Sequence, residues 1–142
     1  MATVKFYETA EDGRLRFAVI LSKLQQKYIF CKHKERDTWE IPGGHREDGE
    51  KIIDTAKREL QEETGALEFN ITPVCAYSVT APDAFDGKET FGMLFYADVT
   101  CVEKELHSEI EKIMLADEMP EKLTYPDIQP KLMEEAKKRG FL

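Results

Sequence analysis

RELQEETG, residues 58–65, places Glu59, Glu62 and Glu63 close together in a stretch that carries every local sign of a helix. Residues 52–64 repeat their apolar positions at helical spacing, with Asp48 the expected N-cap and Gly65 placed to end the helix. At about 100° per residue, Ile53, Ala56, Leu60 and Thr64 fall on one stripe, and the three glutamates share the adjoining arc. Each i,i+3 or i,i+4 pair of like charges costs a few tenths of a kcal/mol on an isolated helix. Without a neutralising cation, at least one of these carboxyls is expected to titrate above its ordinary range. Carboxylate oxygens with no His or Cys among them suit a hard ion such as Mg2+ or Mn2+. Arg58 reaches Glu62 at i,i+4 and can hold a carboxylate in orientation. Taken alone, such an acidic cluster is more often a solvated helix face, so its surroundings have to decide.

Upstream, Gly43 and Gly44 have no side chains, which lets the backbone approach a ligand closely and offer carbonyls to a metal. Pro42-Gly43-Gly44 reads as a break that no regular element tolerates well, followed by a polar loop. Glu50 stands at the start of the helix, where a carboxylate also favours the dipole. Before the break, residues 15–23 (LRFAVILSK) and 27–33 (KYIFCKH) read as strands joined into a hairpin by Leu24-Gln25-Gln26. After the helix, residues 66–80 and 89–100 read as strands, linked by turn-rich residues 81–87, and a short strand is expected at 110–115. A last helix is expected over 128–139, capped by Asp127, with Pro130 in its first turn and Gly140 after its end. This order of elements predicts one α/β domain covering residues 1–142, with no repeat and no linker.

The 142 residues are 42% apolar and 34% charged, enough for a single core and too few for a second domain. A formal net charge of −8 argues against binding nucleic-acid polymers or anionic membranes. No apolar run approaches the roughly 20 residues of a membrane helix. The first thirteen residues, MATVKFYETAEDG, lack the apolar core of a signal peptide, so a cytoplasmic location is expected. Cys31, Cys75 and Cys101 are widely spaced with no CxxC pair, as reduced structural thiols are.

Gly44, five residues, Glu50, seven residues and then residues 58–65 together resemble the 23-residue signature box of the Nudix hydrolases, and Trp39-Glu40-Ile41-Pro42-Gly43-Gly44 is similar to the usual approach to it. One departure is Ala66, where the family generally has a bulkier aliphatic residue. The resemblance implies a Nudix-type α/β/α sandwich with a mixed β-sheet and a catalytic loop-helix-loop. It also implies hydrolysis of a nucleoside diphosphate linked to another moiety, nucleoside triphosphates included. By matched position, Glu59, Glu62 and Glu63 would hold Mg2+ or Mn2+, the Gly44 carbonyl would complete the shell, Arg58 would orient the carboxylates, and Glu50 would support or ligate. Glu59, Glu63, Glu109 and Glu111 are all open as general base.

For substrate, Lys32 and His45 stand where family members often place phosphate contacts, although a solvated Lys at a strand end is common. Phe85, Phe91, Trp39 and Tyr77 could stack on a base, although aromatics on strands usually belong to the core. The short chain resembles MutT-like enzymes acting on nucleoside triphosphates, including those that act on oxidised purine nucleotides. Pro82, sixteen residues beyond Ala66, resembles a mark of the ADP-ribose-cleaving members, which makes ADP-ribose or another nucleoside diphosphate conjugate the alternative. A catalytically silent nucleotide-binding module is a third reading. The expected partner is a small nucleotide, and a homodimer is left open.

Overall fold

Neighbouring residues along the central strands point to opposite sides, and this alternation splits the core in two. The structure, a computed structural model, describes residues 2–82, 87–103 and 110–142. Its strands are β1 (Thr3–Tyr7), β2 (Leu15–Leu24), β3 (Lys27–His33), β4 (Gly43–His45), β5 (Ala66–Thr80), β6 (Thr90–Val102) and β7 (Ile110–Ala116). Its helices are α1 (Ile52–Thr64) and α2 (Gln129–Lys138), with a single 3-10 turn at Asp12–Arg14. The main sheet runs in the order β1-β5-β6-β2-β3-β7, with β4 paired to β2. β2 and β6 are parallel and the other pairs antiparallel, so the sheet is mixed as expected.

Ile20, Ile29, Ala76 and Phe95 pack with Ile52, Ala56 and Leu60 of α1, whereas their chain neighbours Leu21, Phe30, Tyr77 and Leu94 pack with Leu132, Met133 and Ala136 of α2. One sheet thus carries a helix on each face, and burying each large apolar side chain contributes about 1.5–3 kcal/mol. Cys31 and Cys75 are buried within the fold, Cys101 is half-buried, and all three are free thiols.

Several local expectations need correction. β2 extends through Leu24, leaving Gln25 and Gln26 as a two-residue turn with φ of 54° and 69°. Both values suit the primed turns that match strand twist in tight hairpins. β1 carries too short a pattern to be legible as a strand in the sequence, and pairing with the end of β5 makes it one. Gly43 and Gly44, expected to form a break, belong to β4, because the missing side chain of Gly43 lets this segment lie against β2 and that of Gly44 leaves room for the Glu59 carboxylate. The start of α2 is entered without Asp127 as cap: the N-cap is Ile128, and the Tyr125 carbonyl accepts from the amides of Ile128 (3.2 Å) and Gln129 (3.1 Å).

Asp48 is not the cap of α1 either. The N-cap residue is Lys51, which makes no side-chain capping bond, and Asp12 Oδ1 accepts the Ile52 amide at 3.2 Å. A long-range acceptor therefore fills the role that the sequence assigned to a local one. Asp12 also pairs with Arg46, and these contacts hold its carboxyl below the usual carboxylate range, the Ile52 amide contributing most. Asp12→Ala is expected to lower the stability of the protein by about 1–2 kcal/mol in urea unfolding, the loss typical of a removed cap. A change under about 0.3 kcal/mol would show that solvent satisfies the helix start just as well.

Candidate active site

Residues 40–45 are wedged between β2 and β3. Cys31 and Glu40 exchange backbone hydrogen bonds of 2.9 and 3.0 Å, the Pro42 carbonyl accepts from the Ile20 amide at 2.8 Å, and Gly43 and Gly44 pair with Val19 and Ala18. Direct pairing of β2 with β3 is confined to the hairpin end, at Lys23↔Tyr28 and Leu24↔Lys27. Beside this wedge lies a cleft of about 790 Å³, a volume typical of small-molecule sites. Its apolar floor includes Phe17, Val19, Tyr77 and Val79, and the glutamates of α1 line one end.

Arg58 is the hub of that acidic end. Its Nε donates to Glu50 Oε2 at 2.8 Å and its Nη2 to Glu50 Oε1 at 3.0 Å, a two-pronged grip. Nη1 donates to Glu59 Oε1 at 2.6 Å and reaches Glu62 Oε2 at 3.4 Å, while Nη2 also donates to the His45 carbonyl at 3.1 Å. Glu50 further accepts from the Glu47 amide and the Thr55 hydroxyl. Held chiefly by Arg58, the Glu50 carboxyl is pulled down to about 2, and the guanidinium is raised in return. Both Glu50 oxygens are engaged, so here Glu50 anchors Arg58.

The three box glutamates sit in three different environments. Glu62 is half exposed, its side chain at 51%. Glu59 is partly buried, and its carboxyl is raised by that burial against the opposing pull of Arg58. Glu63 is buried, only 7% exposed, and accepts the Gly43 amide at 2.6 Å, with His33 Nε2 at 3.3 Å from its other oxygen. Burial pushes the Glu63 carboxyl up to about 8, helped by Glu59, Glu40 and Glu62 and opposed by the Gly43 amide. The helix wheel places all three at the edge of the packed stripe, but α1 is rolled far enough for Glu63 to join Thr55, Ala56, Leu60 and Thr64 among its buried residues.

Glu63 binds its proton more tightly in the folded than in the unfolded chain, so its contribution is fully present below about pH 4.5 and is lost as pH rises towards about 8. Glu50 has the opposite sign, losing its contribution as pH falls from about 4.5 towards about 2. In metal-free buffer Glu63→Gln is therefore expected to melt with the wild type near pH 4.5 and several degrees above it near pH 9, each kcal/mol being worth roughly 2–4 °C at this size. Parallel melting curves across that range would remove the alkaline penalty from Glu63.

The residues present suit a hard cation in kind and charge. A Cβ built on Gly44 would fall 2.2 Å from Glu59 Oε2, so the carboxylate lies directly over the glycine backbone. Among the described residues, no three His, Cys, Asp or Glu side chains converge on one point, because Arg58 and the Gly43 amide hold the carboxylates apart. An ion would draw together oxygens that at present face these cationic and N–H partners.

Of the expected substrate contacts, His45 and Tyr77 line the cleft. His45 is exposed and meets the edge of Phe17, with 6.3 Å between centroids, while Tyr77 is a floor residue only 2% exposed. Lys32 lies outside the cleft lining and donates to the Arg36 carbonyl at 2.7 Å. Phe91 packs on the α1 side of the sheet against Tyr7, with Arg14 4.5 Å from its ring centroid, so it cannot stack on a ligand in this cleft. Trp39 and Pro82 also lie outside the lining. Phe85, Glu109 and the side chain of Glu111 fall outside the described residues. Sequence reading misses His33, Arg36, Glu40, Tyr125 and Gln129, whose place in the cleft lining depends on strand crossing and on the entry to α2. Phe17 and Val19 read as core in the sequence, and alternation alone cannot separate a cleft floor from a core face.

The NUDIX domain model matches residues 11–136. A Bacillus subtilis (strain 168) protein provisionally named as an 8-oxo-dGTP diphosphatase, YtkD, is 28% identical over 106 residues, 74% of this chain and 64% of that protein. The chain thus spans just under two thirds of that relative's length. The crystal structure of the Bacillus subtilis pyrophosphohydrolase BsRppH superposes with a TM-score of 0.79 at 22% identity, covering 99% of this chain and 93% of that one. The NUDIX domain of Shewanella oneidensis NrtR, solved with ADP ribose, gives a TM-score of 0.66 at 17% identity, covering 89% of this chain and 88% of that one. At these identities the two structures establish likeness of fold. Among the described residues, no helix is long and apolar enough to cross a membrane.

Proposed function

Since the chain belongs to the NUDIX family, we propose that it is a divalent-metal-dependent pyrophosphohydrolase that cleaves a (deoxy)nucleoside triphosphate to the monophosphate and pyrophosphate. The observation that carries this reading is the contact of Glu59 with the Gly44 backbone, beside an Arg58 held by Glu50 at the end of a nucleotide-sized cleft. Glu59, Glu62 and Glu63, with the Gly44 carbonyl, would hold Mg2+ or Mn2+. When bound, such an ion offsets the charge of a pyrophosphate and lowers the pKa of an attacking water. Arg58 keeps Glu59 oriented, and the Gly43 amide holds Glu63, with His33 Nε2 3.3 Å from its other oxygen. The apolar floor excludes water from one side of the ligand and gives a base a surface to lie on. The relative named for 8-oxo-dGTP is consistent with an oxidised purine nucleotide as substrate.

The test is a panel of nucleotides incubated with Mg2+ and read by product identity. Monophosphate plus pyrophosphate from a triphosphate is the expected result. AMP plus ribose 5-phosphate from ADP-ribose alone would move the reading to nucleoside diphosphate conjugates. Tight binding without turnover would make the cleft a nucleotide-binding module.

A further inference from the structure

One row of the sheet crosses the cleft floor, and its middle position has no side chain. Phe17 of β2 pairs with His45 of β4 on one side and with Gly92 of β6 on the other, and Gly92 pairs in turn with Tyr77 of β5. His45, Phe17 and Tyr77 all line the cleft. Phe17 enters this row through an irregularity: the register of β2 against β6 shifts between Leu15 and Phe17, which face the successive residues Phe91 and Gly92. Regular alternation would put Leu15 and Phe17 on the same side of the sheet. Instead Leu15 packs on the α1 side and Phe17 on the cleft side, the re-aiming that a bulge produces beside a site.

The ring of Phe17 leans into the gap at Gly92. A Cβ built on Gly92 would fall 2.1 Å from Phe17 Cε2 and 2.2 Å from Cδ2, so one edge of the ring occupies the place of the missing side chain. Gly92 does not have a positive φ, so the course of the strand does not demand glycine there; the ring does. Tyr77 bounds the ring at 5.5 Å between centroids and His45 at 6.3 Å. An aromatic ring laid over a strand glycine is a stabilising contact in its own right. On a cleft floor it has a second consequence. Neighbouring strands stand about 4.8 Å apart, so the stretch from Phe17 across Gly92 to Tyr77 spans about 10 Å, long enough for a two-ring base. With a side chain at Gly92, the ring has to move by about 1.5 Å to regain ordinary carbon–carbon contact. The sheet lies beneath it and Tyr77 is only 2% exposed, so the room is on the cleft side.

Resting on the nucleotide reading above, we propose that Gly92 is a positioning residue for substrate choice: by seating Phe17 low it levels the floor, so that the cleft prefers purine to pyrimidine nucleotides. A purine covers more of a level floor than a pyrimidine does. A raised ring divides that surface into single-ring widths and takes away the difference.

GTP and CTP are the probes. Wild-type kcat/KM is expected to favour GTP by roughly tenfold, the scale of one stacking contact. Gly92→Ala is expected to raise KM for GTP by roughly tenfold and for CTP by less than about threefold, with kcat for both within about twofold. Phe17→Leu lowers the GTP/CTP ratio by itself, and it removes the ring that the new Cβ would strike. Adding Gly92→Ala to Phe17→Leu is therefore expected to shift KM for GTP by less than about twofold. A contact that only supports the strand would lower the melting temperature and leave the GTP/CTP ratio where it was. Equal kcat/KM for the two nucleotides in the wild type, an unchanged ratio in a Gly92→Ala protein that still melts cooperatively, or the same loss in both backgrounds would overturn the assignment and leave the hydrolase reading standing. If Gly92→Ala does not fold, an unchanged ratio in Phe17→Leu overturns it and a lowered one supports it. If neither nucleotide is hydrolysed, calorimetric affinities for GMP and CMP decide the role of Gly92 by the same ratio; if no triphosphate at all is hydrolysed, the hydrolase reading fails separately.

Discussion

Glu63→Gln is expected to turn over nucleotide at least about a hundredfold more slowly than the wild type, the scale that follows when a group that stabilises transition-state charge is lost. Its fold is expected to be as stable as the parent's or more so above neutral pH. The two effects have one cause. Glu63 is a carboxyl buried beside Glu59 and Glu40, so in the absence of a cation its charge opposes folding. That same uncompensated charge is what the proposed metal would meet. The side-chain amide introduced by the substitution could still face the Gly43 N–H through its oxygen, which keeps the local geometry close to that of the parent. Steady-state kinetics at saturating Mg2+, beside thermal melts of the same preparation, make the comparison. Turnover near that of the wild type would exclude Glu63 as an essential ligand. Glu62→Gln is the companion case: a half-exposed side chain with only a 3.4 Å contact to Arg58 has little structural role to confound a loss of kcat by orders of magnitude.

Gly43→Ala has the largest expected effect on stability. Its Cβ would stand 2.5 Å from the Ala18 carbonyl oxygen and 3.1 Å from Val19 Cα, both backbone atoms of β2, so β4 has to move off the sheet. A loss of about 2–4 kcal/mol is expected, in the upper range for forced backbone displacement. Gly44→Ala meets a different obstacle, since its Cβ would strike the carboxylate of Glu59, which can swing aside. That variant should fold with little loss yet lose most of its activity, because Glu59 leaves the Gly44 backbone. Gly13→Ala, with nothing within 4 Å of the added atom, should change stability by less than about 0.5 kcal/mol. Urea midpoints and kcat for the three variants provide the check. A Gly43→Ala variant as stable as Gly13→Ala would mean that β4 does not lie against β2 as described.

How far the chain can be read before folding depends on the range of the interaction concerned. The end of α1 at Gly65 is legible because a left-handed residue, with φ of 75°, is a local requirement that glycine meets at least cost. Its beginning is not, because Asp12 acts from forty residues away. Arg58 is expected to reach Glu62 on its own helix and lies 3.4 Å from it, yet its shortest contact is to Glu59 and its two-pronged grip is on Glu50, in the loop before the helix. The aromatic candidates divide in the same way. Tyr77 and Phe91 lie on neighbouring paired strands, and only the register of β5 against β6 and the positions of the helices set one on the cleft floor and the other on the far face.

Spacing along the chain is enough to identify the acidic helix, its glycine approach and the α/β order, since i,i+4 periodicity, turn chemistry and strand alternation are properties of near neighbours. Which glutamate is buried, what engages the Glu50 oxygens, and that Gln129 joins the cleft lining while its Oε1 accepts the Ile41 amide are all settled only in the assembled chain. Desolvation and a fixed amide orientation are created when segments distant in sequence close around the same space.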